Sequence, residues 1–133
     1  MGLQMISPQF AVPQVVEAAE YYRDVLGFTI LGYFSQPPVY SIVRRDAVEI
    51  HLAKAATGKA APNITRREGR LDAYIWVTEL DPLYEELKSR GAKVVEGPLK
   101  TVYQCYEMVV EDKFGFRLAF GMDISKAPES RKV

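Results

Sequence analysis

Hydrophobic and polar positions along this chain change period several times, and the order of the changes is repeated. In residues 6–12, Ile6, Pro8, Phe10 and Val12 fall on one face of an extended segment and Ser7, Gln9 and Ala11 on the other. This predicts a first strand ending at Val12, with Pro8 pointing to an edge position because it has no N–H to give a ladder. From Val15 the apolar residues Val15, Ala18, Ala19, Tyr22, Val25 and Leu26 recur at helical spacing. Glu17 stands near the start of that segment and Gly27 just past its end, so a helix of about three turns is expected. Residues 28–33, 39–44 and 48–53 then read as strands, separated by Gln36-Pro37-Pro38 and by a tight turn near Arg45-Asp46.

The same order returns in the second half. Residues 71–78 read as a strand, and Asp81-Pro82 as an N-cap followed by proline at the first helical position. Leu83, Leu87 and the stem of Arg90 line one helical face, and Gly91 closes it. Residues 93–95, 106–111 and 116–120 supply three more strands, with Asp112-Lys113-Phe114-Gly115 as a turn. The passage EAAEYYRDVLGFTILGYF at 17–34 is echoed by LYEELKSRGAKVVEGPL at 83–99, about half the chain away. That period is too long for a solenoid unit and fits two copies of a small βαβββ module. The expected organisation is one α+β domain over 1–133, with module one at 6–54, a connector at 55–69, module two at 70–122 and a polar tail at 123–133. Two such modules side by side leave a concave seam, the expected place for function.

Composition removes several classes. Seventeen basic and seventeen acidic residues cancel, so nothing argues for nucleic acid or an anionic membrane surface as partner. The single Cys105 cannot form an intrachain disulfide, and the start MGLQMISPQF has no basic leader or long apolar run, so a reducing cytoplasm is expected. Asn63-Ile64-Thr65 matches a glycosylation sequon and, in that compartment, is read as coincidence. Arg44-Arg45 and Arg66-Arg67 are expected to be solvated turn charges. There is no phosphate loop, no G-x-S-x-G, no cysteine pair and no H-E-x-x-H, so hydrolase and nucleotide-binding readings have no support.

Strand alternation sorts the candidate chemistry. If Val48, Ile50 and Leu52 face the core, Glu49 and His51 face the cleft; likewise Ala73, Ile75 and Val77 point inward, and Asp72, Tyr74 and Trp76 outward. The last strand sends Phe116, Leu118 and Phe120 to the core and Arg117 and Ala119 to the cleft. The candidate ligand-binding set is Gln9, Glu49, His51, Asp72, Tyr74, Trp76 and Arg117. Rings, an imidazole, carboxylates and a guanidinium suit an organic molecule with planar and polar parts. Tyr74 and Trp76 fit a subunit interface equally well.

The passages AAEYYRDVLGF, VEIHLAK and VVEDKFGFRLAFG resemble the vicinal-oxygen-chelate superfamily of glyoxalases, bleomycin-resistance proteins and extradiol dioxygenases, over roughly residues 6–122. LDAYIWVTELDPLYEEL is most similar to its bleomycin-resistance-like branch. The resemblance implies two βαβββ modules whose sheets curl round a cleft, assembled as a homodimer. It also implies four metal-ligand positions, which here are Ser7, His51, Asp72 and Ala119. Alanine cannot bind a metal and neutral serine binds poorly, so the family's ligand set is incomplete; Glu49, one pleat from His51, is the only candidate third donor beside His51 and Asp72. The expectation is a metal-free protein that sequesters a bleomycin-like or other aromatic cationic drug, with Asp72 and Glu49 meeting its charge. The alternatives are a lyase, isomerase or dioxygenase using a divalent ion at Glu49, His51 and Asp72, and a non-catalytic scaffold or sensor dimer.

Overall fold

The structure, a computed structural model, describes residues 1–66 and 69–125. Strand β1 (Gln9–Val12) leads to helix α1 (Val15–Asp24) and strands β2 (Thr29–Phe34), β3 (Tyr40–Arg45) and β4 (Val48–Lys54). A short helix α2 (Asn63–Arg66) precedes β5 (Ala73–Trp76), α3 (Leu80–Ser89), β6 (Lys93–Lys100), β7 (Cys105–Glu111) and β8 (Arg117–Asp123). The strands form two four-stranded mixed sheets of matching order, β1-β4-β3-β2 and β5-β8-β7-β6, and neither closes into a barrel. In each sheet the first strand runs parallel to the last, and the other pairings are antiparallel.

The helices form where the periodicity places them. Val15, Ala18, Ala19 and Tyr22 are the buried stripe of α1, and Leu80 and Leu87 the buried points of α3. A fully buried valine or leucine among them contributes about 1.5–3 kcal/mol and each alanine less, and such burial is what holds helices this short. One continuous core joins both halves: Phe10 and Phe116 stack with centroids 4.5 Å apart, and Tyr22 meets Phe28 edge-on at 5.4 Å.

Two further contacts tie the halves together, each running from a helix of one to a hairpin turn of the other. On one side the Tyr22 hydroxyl donates to Asp112 Oδ2 at 2.7 Å, while Asp112 Oδ1 accepts the backbone N–H of Phe114 and Phe116, both at 2.9 Å. Burial pushes this carboxyl up from 3.8 to about 6 despite those donors. On the other side Arg45 makes a two-pronged contact with Glu86, at 2.9 and 2.7 Å, and gives a third bond to Leu26 O at the end of α1. Gly27 allows this approach, because a Cβ there would run into the Arg45 guanidinium, and its φ of +77° suits glycine.

Several details differ from the sequence expectations. The first strand begins at Gln9: the last bond toward the N-terminus is His51 N–H to Pro8 O, Pro8 has no donor to extend the ladder, and Ile6 is left exposed. Helix α3 starts at Leu80, so Asp81 is not the N-cap but lies in the first turn; its carboxylate accepts the Tyr106 hydroxyl at 2.6 Å. Glu79 is the extended residue before the helix and makes no side-chain cap. The expected break after residue 95 is a shift of register inside a longer β6. The connector is not uniformly irregular, since it holds α2, where exposed Arg66 donates to Asn63 Oδ1 at 3.2 Å. Arg67 and the tail beyond residue 125 lie outside the described residues.

Candidate functional site

The outward faces of the two sheets carry most of the polar side chains singled out above. On the first sheet, burial of Ile50 and Leu52 turns Glu49 and His51 the other way. There Gln9 donates to the Tyr40 hydroxyl at 3.0 Å, Tyr40 lies 2.7 Å from His51 Nδ1, and His51 Nε2 lies 3.6 Å from Glu49. Arg44 closes the series at 3.4 Å from Glu49. Tyr40 also packs edge-on against His51 and Phe34, at 5.6 and 6.1 Å. Every polar member of this row has a neighbour within the row.

The second sheet is arranged differently. Tyr74 and Trp76 leave β5 on its outward face with ring centroids 4.9 Å apart. The Tyr74 ring crosses β8 over Gly121, where any Cβ would overlap its hydroxyl, and reaches Glu107 Oε1 on β7 at 2.8 Å. Tyr103 donates to the same oxygen at 2.9 Å. Desolvation, and then hydrogen bonding to Cys105 and Glu107, push the Tyr74 phenol well above its usual range, so it stays a donor. Trp76 is 56% exposed and Tyr103 59%.

Between the sheets runs the seam. A cavity of about 530 Å³ is lined by Ile6, Ser7, Glu49, Asp72, Tyr74 and Trp76 among others. A second, of about 540 Å³, lies toward α3 and is walled mainly by apolar side chains such as Phe28, Ile75, Leu83 and Phe120. Trp76, Ile75, Ala47 and Val48 line both.

Four of the seven candidates, Glu49, Asp72, Tyr74 and Trp76, therefore meet at one cavity, and Gln9, His51 and Arg117 do not line it. Gln9 and His51 belong to the row on the first sheet. Arg117 lies 4.0 Å from Glu111, and its Nε is buried without a hydrogen-bond partner among the described residues. Asp72 serves the fold, since its two oxygens accept the backbone N–H of Asn63 at 3.0 Å and of Arg117 at 2.9 Å, fixing α2 and the start of β8 to β5. Ala119, expected at the cleft, is fully buried.

The N- and C-terminal halves share a topology, and residues 4–120 match the consensus of the Glyoxalase/Bleomycin resistance protein/Dioxygenase superfamily. The chain belongs to that superfamily. No curated protein sequence matches it. Solved structures of this superfamily's fold include a glyoxalase-related enzyme from Clostridium phytofermentans (12% identity, TM-score 0.73, covering 93% of this chain and 98% of that one). Others are UcmS2 (20%, 0.69, covering 91% and 98%) and TnmS3, an antibiotic binding protein from Streptomyces sp. CB03234 (17%, 0.68, covering 92% and 98%). At these identities the likeness concerns the fold.

Metal-dependent members of the superfamily need convergent donors, and the described residues do not present such a set. Among the described residues no group of three or more His, Cys, Asp or Glu side chains is placed to hold a metal ion. The physical reason is local, since both Asp72 oxygens already accept backbone donors and His51 is turned into the Tyr40 and Glu49 row. Sequence reasoning missed Glu107. Its signal was present in the alternation of residues 105–111, where buried Met108 and Val110 leave Glu107 facing outward, but nothing in one sequence says that Tyr74 reaches across a strand to it.

Proposed function

We propose that this protein binds a small organic molecule with planar and polar parts on the seam between its halves, without a metal, and that binding itself is its function, as in sequestration of an antibiotic. The observation that carries this reading is the cavity of about 530 Å³ in which two rings, Tyr74 and Trp76, stand with Glu49 and Ser7. Apolar walls with a few directed polar groups are what a small-molecule site requires, and aromatic faces supply stacking. The fold shared with TnmS3, described as an antibiotic binding protein, supports the reading by analogy. Exposed apolar side chains on the outer parts of the sheets, among them Leu31, Phe34, Val39 and Leu99, support assembly as a homodimer. No helix among the described residues is long and apolar enough to cross a membrane, and the cytoplasm remains the proposed location.

The test is titration of purified protein with bleomycin and other aromatic cationic antibiotics, followed by Trp76 fluorescence and calorimetry. Saturable quenching with one ligand per chain is the expected outcome. Absence of binding across the panel, together with stoichiometric metal in elemental analysis and a rise in melting temperature on adding Ni, Mn, Fe or Zn, would replace this reading with a metalloenzyme.

A further inference from the structure

The repeat makes positions in the two halves equivalent, and one equivalent pair differs in a way that shapes the seam. Phe10 and Ile75 each stand five residues before the first residue of the helix that follows, Val15 or Leu80. Phe10 pairs with Leu52 and Ile75 with Phe120, and four residues before those partners stand Val48 and Phe116. The counterpart of the Phe10–Phe116 stack is therefore Ile75 with Val48. Phe10 and Phe116 are buried, whereas Ile75 and Val48 are only partly buried and line the cavity of about 540 Å³. Two aliphatic side chains where the other end of the seam has two stacked rings leave this space between the halves, and Phe28, Leu83 and Phe120 add apolar walls to it. Around its mouth and in the adjoining recess three guanidinium groups, Arg44, Arg45 and Arg90, balance three carboxylates, Asp46, Glu79 and Glu86. Arg45 and Glu86 are held by each other, while Asp46 and Glu79 are exposed and make no side-chain hydrogen bond or ion pair among the described residues.

We propose that this cavity is a second binding compartment and that it takes an uncharged aliphatic or alicyclic molecule carrying a hydroxyl group. The apolar body occupies the space that the ring pair fills at the other end and removes the exposed parts of Ile75, Val48 and Leu83 from water, a gain that grows with the apolar area covered. The hydroxyl donates to the carboxylate of Asp46 or Glu79 at the mouth. A charged head group gains no net attraction from a balanced set of guanidinium groups and carboxylates, yet loses hydration beside apolar walls, so an uncharged ligand is preferred to an ion of either sign. The proposal goes beyond the seam-binding reading, because neither Tyr74 nor Glu49 lines this compartment. Trp76 stands in the wall of both cavities and reports on either.

The experiment uses three probes that share one chain, 1-octanol, octanoate and octylammonium at neutral pH, measured by calorimetry and Trp76 fluorescence on the full chain. Wild type is expected to bind one octanol per chain, more tightly than either ion by about tenfold or more. Val48→Phe with Ile75→Phe, which restores the ring pair of the other end, should abolish octanol binding and raise the melting temperature. Leu83→Phe changes a single wall residue that lines this cavity and not the one beside Tyr74, and should weaken octanol by about tenfold or more, with its melting temperature recorded to confirm folding. Absence of saturable octanol binding by wild type, an ion that binds as tightly as octanol, or folded Leu83→Phe protein that binds octanol as wild type does, overturns the proposal. Each of these leaves the seam-binding reading standing, since the antibiotic titration probes the compartment of Tyr74 and Glu49. Octanol binding by a protein that takes no antibiotic would remove that reading and support this one.

Discussion

The two ends of the seam are joined by contacts that the repeat makes equivalent, yet one end is sealed and the other open. At the sealed end Tyr22 and Asp112 are buried, and the Phe10–Phe116 stack closes the core between the halves. At the open end the tie is Arg45 to Glu86, about one-third exposed, with the apolar cavity of about 540 Å³ on one side and a polar recess lined by Arg44 and Arg90 on the other. A neutral phenol against a carboxyl can be buried under packed rings, whereas a guanidinium and a carboxylate need water nearby. The choice of residue pair thus matches the different exposure of the two ends.

The titration of the two ends has opposite sign. Asp112 has its folded-state value raised to about 6 from 3.8, chiefly by burial, so its contribution to stability is fully present below 3.8 and is lost as pH rises through about 6. Glu86 is held below its usual 4.5, chiefly by its bonds from Arg45, so its contribution is present above that value and is lost as pH falls through the lower folded one.

The largest expected effect is at the sealed end. Tyr22→Ala should cost about 3–5 kcal/mol in urea unfolding, from the cavity and the orphaned carboxyl together. A loss below about 1 kcal/mol would show that the ends do not differ as described. At the open end Trp76→Ala should weaken ligand binding by at least about tenfold, close to 1.4 kcal/mol, while moving stability by no more than about 0.5 kcal/mol, since the ring is mostly exposed. Asp112→Asn should flatten the fall in stability that wild type shows between about pH 4 and pH 6, and parallel melting curves across that interval would argue against the raised carboxyl. Arg45→Met should cost about 1 kcal/mol or less, because Glu86 keeps Arg90 at 3.0 Å, and the cost should shrink in acid.

Much of the fold was legible because it depends on local periodicity. The stripe Val15, Ala18, Ala19 and Tyr22 could only be a helix face, and the alternation through Ile50 and Leu52 correctly put Glu49 and His51 on the other side of β4. The site was legible by halves. Alternation placed Tyr74 and Trp76 outward, but Asp72 went to backbone donors on α2 and β8, which no pattern along β5 announces. His51, the one histidine, was drawn into contact with Tyr40 and Glu49 instead of toward Asp72.

What the chain determined by itself was the order of helices and strands, the duplication and the inward or outward sense of residues along elements such as α1 and β4, because these follow from the 3.6 and 2.0 periods acting on neighbours in sequence. What only the tertiary structure decided was partnership. Tyr22 with Asp112, Arg45 with Glu86, and Tyr74 with Glu107 over the bare backbone of Gly121 each join residues far apart in the chain. Such pairs are selected by how two sheets and two helices pack in space, and packing distances between remote segments leave no periodic trace in a sequence.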